Sequence, residues 1–353
     1  MKTLNIAVML IVSTASALAA QAPGALDAAE KQTAINALAD QLTTLYVFPE
    51  KATVMATTLR ANLARGDYDS LANGPAFAQR LTRDLDALVH DKHLRVAYSM
   101  DVLPEFHGDA GREPSEEQVA RARANHFGFV NVKVLPGNVG LLQFTGFQQS
   151  EGEIRDTAIA VMKRLAGVDA LLVDLRSNGG GDPYMVALLS SQLFPKGKKV
   201  HLNDLYWRPT DHTDEFYTDP DLAVGRITGP VYTVTSSRTF SAAEEYTSNL
   251  KALKRATQVG ETTGGGAHPG GQERLSDHYS AFIPRGRAIN PITKGNWEGT
   301  GNVPEIATTR AEALKVAYLD ALKTLEKSAK TDLKINELRA ARAKAERGET
   351  LLN

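Results

Sequence analysis

The residue whose setting most suggests chemistry in this chain is Ser241. Ser241 follows an apolar β-type run at 231–234 and a small polar cluster at 235–237, and it opens an amphipathic helical pattern that continues to Lys254. A strand that hands a serine to the first turn of a helix puts the hydroxyl beside free N–H groups, where the positive helix end favours developing negative charge. A serine hydroxyl is a poor nucleophile near neutral pH and needs a base. Histidine, with an unperturbed pKa of about 6.5, can take that proton and return it to a leaving amine. A carboxylate can then fix the imidazole tautomer and stabilise its charged form.

Ser241 also has a plainer explanation. Ser-Ala-Ala-Glu at 241–244 is a capping box, in which the serine bonds forward and Glu244 bonds back, and a helix start needs nothing more. His93 sits where a helical pattern ending near Leu88 gives way to the alternation of Leu94, Val96 and Tyr98, so it also reads as a turn residue. His90 and His93 have the i, i+3 spacing of metal ligands, with no further ligand placed in sequence to complete a site. Glu298, after Trp297 in a glycine-flanked loop, also fits a solvated carboxylate.

Two glycine-rich loops add weight to the chemical reading. The apolar strand at 170–175 runs into Arg-Ser-Asn-Gly-Gly-Gly-Asp at 176–182 and then a helix at 183–194. Neither the Gly-x-Gly-x-x-Gly pattern nor the P-loop occurs there, so the loop has no phosphate-binding signature. Bare N–H groups that approach a ligand closely are what an oxyanion hole needs. The second loop, Gly264 to Gly266, follows a short strand at 258–260 and ends near His268, a rival base.

The elements that must position these residues are legible from periodicity. Ile35, Leu38, Leu42 and Leu45, then a pattern at 54–63, then Phe77, Leu81, Leu85 and Leu88 mark three short helices, a small bundle. Runs at 127–135 and 139–144 flank Pro-Gly-Asn, a hairpin signal, and 153–165 is an amphipathic helix. Further strands are expected at 281–284 and 287–290, then a helical, increasingly charged pattern from 310 to about 347 whose last stretch is an exposed helix. Strands alternating with helices predict an α/β layer architecture. The stretch between Tyr98 and the hairpin is too short for an inserted peptide-binding domain of ordinary size.

Of 353 residues, 42% are hydrophobic and 23% charged, as in globular proteins with substantial cores. A net charge of −1 with no basic run gives no reason to expect nucleic acid or an anionic membrane as partner. Met1-Lys2, an apolar run at 4–12 and Ala17-Leu18-Ala19 predict a secretory signal peptide cleaved after Ala19, too short to span a bilayer. A periplasmic or secreted location follows. With no cysteine, disulfides, thiolate metal sites and a cysteine nucleophile are excluded.

Four stretches in register resemble the tail-specific (C-terminal processing) serine peptidases: Asp-Leu-Arg-Ser-Asn-Gly-Gly-Gly at 174–181, Thr-Phe-Ser-Ala-Ala-Glu-Glu at 239–245, Gly-Glu-Thr-Thr-Gly-Gly-Gly-Ala-His at 260–268 and Asn-Trp-Glu-Gly-Thr-Gly at 296–301. The likeness is greatest to the branch related to the interphotoreceptor retinoid-binding protein modules and the tricorn protease core. It covers 125–306 strongly and the helical part more loosely. The resemblance implies a crotonase/ClpP-like β-β-α spiral core behind a small three-helix bundle, with no PDZ domain. It implies Ser241 as nucleophile and an oxyanion hole from Ala242 with Gly180 or Gly181. The lysine base of the tail-specific enzymes has no counterpart, because Gly264-Gly265 occupies its loop. His93 and Glu298 match the histidine and glutamate of the tricorn-like branch, while Lys92 stands where that branch has a serine.

The expected organisation is a signal peptide at 1–19, a helical bundle at 26–92, a peptidase core at 93–309 and a C-terminal helix at 310–353. The expected activity is hydrolysis of peptide bonds in small or unfolded peptides through an acyl-enzyme on Ser241, with neither metal nor cofactor. The alternative is a non-catalytic module for apolar ligands of retinoid or fatty-acid type, as the retinoid-binding relatives imply. A third possibility, acyl-CoA chemistry, rests on fold analogy alone.

Overall fold

A computed structural model describes residues 28–105 and 116–349; the signal peptide expected at 1–19 lies outside them. Three helices come first, α1 (Ala28–Leu45), α2 (Pro49–Ala64) and α3 (Gly74–Val89). Proline in its first turn starts α2, and the Asn73 side chain caps α3 by accepting the Ala76 N–H at 2.9 Å. His90 ends α3 in the left-handed conformation, φ 51°, and turns the chain toward β1 (Arg95–Tyr98). Helix α4 (Glu116–Ala124) leads to the hairpin β2 (Phe129–Leu135) and β3 (Val139–Phe144).

The rest of the chain alternates. In order come α5 (Gly152–Arg164), β4 (Ala170–Asp174), α6 (Pro183–Ser191), β5 (His201–Trp207), β6 (His212–Tyr217), β7 (Val231–Thr235), α7 (Ala242–Ala252) and β8 (Thr257–Gly260). Then follow β9 (Gly270–Arg274), β10 (Tyr279–Pro284), β11 (Gly286–Ile289), β12 (Ile306–Ala307), α8 (Ala313–Ser328) and α9 (Asp332–Glu346). The main sheet has six strands in the order β12-β8-β7-β4-β3-β2, parallel except for the β2–β3 hairpin. Two antiparallel sheets of three strands, β1-β10-β9 and β11-β5-β6, stand beside it.

Strand β4 is buried along its whole length, as its unbroken apolar sequence requires of a central parallel strand. Its residues alternate between two cores. Leu171 and Val173 face α5, α6 and α7, while Ala170 and Leu172 face α8 and α9. The C-terminal stretch is helical. It folds as two helices, and Leu314, Ala317, Tyr318, Ala321 and Leu322 of α8 are buried against the sheet. Each such leucine contributes roughly 1.5–3 kcal/mol by burial, which outweighs the many lysines on the outer face.

The helical bundle packs on the β1-β10-β9 sheet, and Leu38, Leu42, Phe77 and Leu85 share one core with Tyr279, Ala281 and Ile283. Through β1 and β10 the short segment 90–94 is held against the loop that leaves β8. Among the described residues no helix is long and apolar enough to cross a membrane.

Candidate active site

The parallel strands β4 and β7 end side by side, and each releases a loop at its carboxyl end. Asn178, fully buried in the β4 loop, ties the two together. Its carbonyl accepts the Phe240 N–H at 3.1 Å, and its side-chain Nδ2 donates to the Phe144 carbonyl at 3.1 Å. Gly180 then lies directly on Ser241. A methyl group at Gly180 would come within 2.6 Å of Ser241 Cβ and 2.8 Å of Ala242 N, and φ is +101° there, so only glycine fits.

Ser241 has φ 54° and ψ −124°. A serine that merely capped a helix would take the extended conformation usual at that position. The left-handed value is strained by about 1–3 kcal/mol and persists only where the surroundings enforce it. Glu244 supplies that enforcement. This fully buried carboxylate accepts the Ser241 N–H at 3.0 Å with Oε2, which also accepts the Gly266 N–H at 2.8 Å. Its Oε1 accepts the Gly265 N–H at 2.6 Å and the Thr263 hydroxyl at 2.5 Å. Burial raises the Glu244 carboxyl above its usual range, and the four donors pull it back. The back-bond of the capping box thus forms, but as one of four bonds that join the serine turn to the second glycine loop.

The N–H groups expected to form an oxyanion hole are differently placed. Gly180 N–H donates to Asn178 Oδ1 at 3.0 Å. Those of Gly181 and Ala242 have no hydrogen-bond partner among the described residues. Gly181 is held by Phe147, whose carbonyl accepts the Asp182 N–H at 2.7 Å.

His93 is 6% exposed. Its ring lies 4.5 Å from that of Phe240, the residue before Ser241, and stacks at 5.6 Å on Phe282 of β10. A methyl at Gly266 would come within 2.7 Å of His93 Cε1, so ring and loop touch. Burial pushes the imidazole pKa down to about 4, against the opposing pull of Asp91. His93 Nδ1 and Glu298 Oε1 are both buried without a hydrogen-bond partner. One ligand-type atom from each of Asp91, His93 and Glu298 lies within 4.8 Å of the others. This trio has the spacing to hold a metal ion or, equally, to orient an imidazole through Nδ1. His90, the i, i+3 partner considered from sequence, is the exposed cap of α3.

His268 lies in the same cluster, also 6% exposed. Its Nδ1 is 2.8 Å from Asp91 Oδ2 and 3.5 Å from Glu298 Oε2. Asp91 further accepts the Tyr46 hydroxyl at 3.0 Å and the His93 N–H at 3.2 Å. The Glu298 loop is laid against the glycine loop: Ala267 N–H donates to Glu298 Oε2 at 2.5 Å and Trp297 Nε1 to the Gly266 carbonyl at 2.7 Å. Burial first, then the Asp91 charge, raises the Glu298 carboxyl. Lys92 points elsewhere, with Nζ 2.5 Å from the Gly264 carbonyl. Asp91 and Tyr46 were not singled out by sequence; adjacency to His93 was the only signal for Asp91, and Tyr46 gave none.

Ser241 and Ala242 open on a cleft whose walls include Gly181, Gly266, Ala267 and Trp297. The cleft holds the Ser241 hydroxyl beside the N–H groups of Gly181 and Ala242, while the His93 ring packs on Phe240 and Gly266 and Glu298 is bonded to Ala267; these are components that acyl transfer uses.

Comparison with known proteins speaks to the family and the fold. A family model described as peptidase family S41 matches residues 138–308, and a second, the N-terminal domain of Peptidase_S41 in eukaryotic IRBP, matches 25–124. Together they span about three quarters of the chain. Among solved structures, a candidate peptidase from Parabacteroides merdae ATCC 43184 aligns with a TM-score of 0.56 at 16% identity, over 85% of this chain and 99% of that one. A lipoprotein from Streptococcus agalactiae aligns at 0.53 and 14% identity, over 91% and 100%. Mature CPAF aligns at 0.53 and 12% identity, over 80% and 94%. At these identities the structures speak for the fold, and the family models carry the assignment. The chain belongs to peptidase family S41.

Proposed function

We propose that the protein is an exported serine peptidase that hydrolyses peptide bonds through an acyl-enzyme on Ser241, with His93 as general base. The observation that carries this reading is the strained Ser241 backbone, φ 54°, held by Glu244 at the mouth of a cleft. Capping a helix does not require that strain, and presenting a hydroxyl does.

In the proposed reaction His93 Nε2 takes the Ser241 proton as Oγ attacks the scissile carbonyl carbon. The carbonyl oxygen becomes an oxyanion, and the Gly181 and Ala242 N–H groups receive it, each worth about 3–4 kcal/mol in the transition state. The imidazolium returns its proton to the leaving nitrogen, the C–N bond breaks and an ester remains on Ser241. Water, deprotonated by His93, then releases the acid. The unpartnered Nδ1 and Glu298 Oε1 support Glu298 as the group that stabilises the imidazolium. His93 is favoured over His268 as base because its ring packs on Phe240, the residue before Ser241.

The test is turnover of a mixed pool of unfolded-protein peptides by the chain from residue 20 onward. The wild type should cleave, and Ser241→Ala should lose at least 10³-fold. Equal turnover by the two would assign Ser241 to capping. No turnover together with tight binding of apolar ligands would favour the passive carrier.

A further inference from the structure

Helix α7 carries a second acidic residue, Glu245, one turn after Ser241 and on the same helix face. It is 4% exposed and lines the cleft that Ser241 opens on. The rest of the wall there is apolar, from Leu205, Ala267, Ala288 and Trp297. Two fully buried amides, Asn203 and Asn249, flank the carboxyl.

This carboxyl has no cationic partner. The Asn203 and Asn249 side chains lie close enough to pull its pKa back, while Glu245 Oε1 is buried without a well-formed hydrogen bond. No lysine, arginine or histidine pairs with Glu245 among the described residues. Burial raises its pKa to about 8, and Asp182 nearby adds to the rise. Buried carboxylates are ordinarily paired, because an isolated one is expensive to ionise. Glu244 beside it has four donors, so the contrast within one helix turn is sharp.

A cleft with apolar walls and one acid that lacks a cation has a natural complement. Lysine and arginine side chains carry an apolar stem and a charged tip, and they bury the stem along apolar surface. The cation would supply the missing partner, and the carboxyl would lose its proton to solvent as the cation enters. An apolar side chain in the same place brings no charge and leaves the carboxyl with the two amides alone.

We propose that Glu245 is the specificity-determining residue of the cleft beside Ser241, and that the substrate is cut after a lysine or arginine. The inference rests on the serine-peptidase reading above. The stem would pack on Leu205 and Trp297, and the cation would meet Glu245.

The experiment measures the rate at which Ser241 is labelled by two diphenyl phosphonates that differ only in side chain, aminobutyl (lysine-like) against butyl (norleucine-like). Mass spectrometry locates the label. The wild type should react with the aminobutyl probe roughly 10²-fold faster. Glu245→Gln, which keeps the shape and removes the charge, should lower that ratio at least tenfold. Equal wild-type rates overturn the proposal without any variant, and so does a ratio unchanged in Glu245→Gln. A plain alkyl fluorophosphonate separates the two levels. If it labels Ser241 while the probe ratio is one, the serine-peptidase reading stands and the basic-side-chain proposal falls. If nothing labels Ser241, both fall.

Discussion

The Glu244 carboxylate accepts the backbone N–H of Ser241 at 3.0 Å. With its three other donors, from Thr263, Gly265 and Gly266, it makes the serine turn and the second glycine loop one unit. Glu244→Ala would leave buried donors without an acceptor, each at a cost of about 1–3 kcal/mol. Loss of more than about 4 kcal/mol in denaturant unfolding is expected. A loss below about 1 kcal/mol would show that the loops do not depend on this residue.

Gly180 meets Ser241 so closely that a single methyl has no room. Gly180→Ala should lower stability by about 1–3 kcal/mol and turnover by more than tenfold, since the methyl pushes on Ser241 Cβ and Ala242 N. Gly179→Ala is the control, because nothing lies near that position. Similar behaviour of the two variants in melting and turnover would remove the role given to the close approach.

Ser241→Gly relieves a strained φ, so stability should hold or rise by a few tenths of a kcal/mol, while turnover falls at least 10³-fold. Thermal unfolding and peptide hydrolysis, measured on one preparation, separate the two effects. A variant that unfolds early and keeps its activity would make Ser241 a structural cap after all.

Burial pushes His93 down to about 4, so the folded protein holds it neutral through the range where a free histidine titrates. The unfolded chain binds a proton with pKa about 6.5 and the folded one does not, so stability present above pH 6.5 falls as pH drops toward 4. The acid limb of kcat/KM should correspondingly lie near pH 4–5. Denaturant unfolding of wild type and His93→Gln at pH 7 and pH 4.5 checks the first, since the variant should lose less stability on acidification. An acid limb at pH 6.5–7 would point to a solvated base instead.

Much of this was legible in sequence where the chain is punctuated. The run at 231–234, the serine turn and the pattern to Lys254 correspond to β7 and α7, because apolar periodicity and small polar residues mark their ends. The meeting of His93 and Glu298 was legible only through family resemblance, since no local pattern encodes contact between positions so far apart. Glu244 read as a capping residue because a box looks only three residues ahead, while its other donors lie in a loop that tertiary packing delivers. The choice between Gly180 and Gly181 as oxyanion donor was open in sequence for a similar reason: which of the two N–H groups stays free depends on the Asn178 side chain. The docking of α8 on the sheet was not legible, because the rising charge of the C-terminal stretch masks an apolar stripe, Leu314, Ala317, Tyr318, Ala321 and Leu322.

The most direct measurement is the site and rate of labelling by a fluorophosphonate in wild type, His93→Ala and His268→Ala. The account predicts a label on Ser241 in the wild type, its rate reduced more than 10²-fold by His93→Ala and much less by His268→Ala. Labelling of Ser241 that ignores His93, or no labelling of Ser241 in a folded protein, would contradict it.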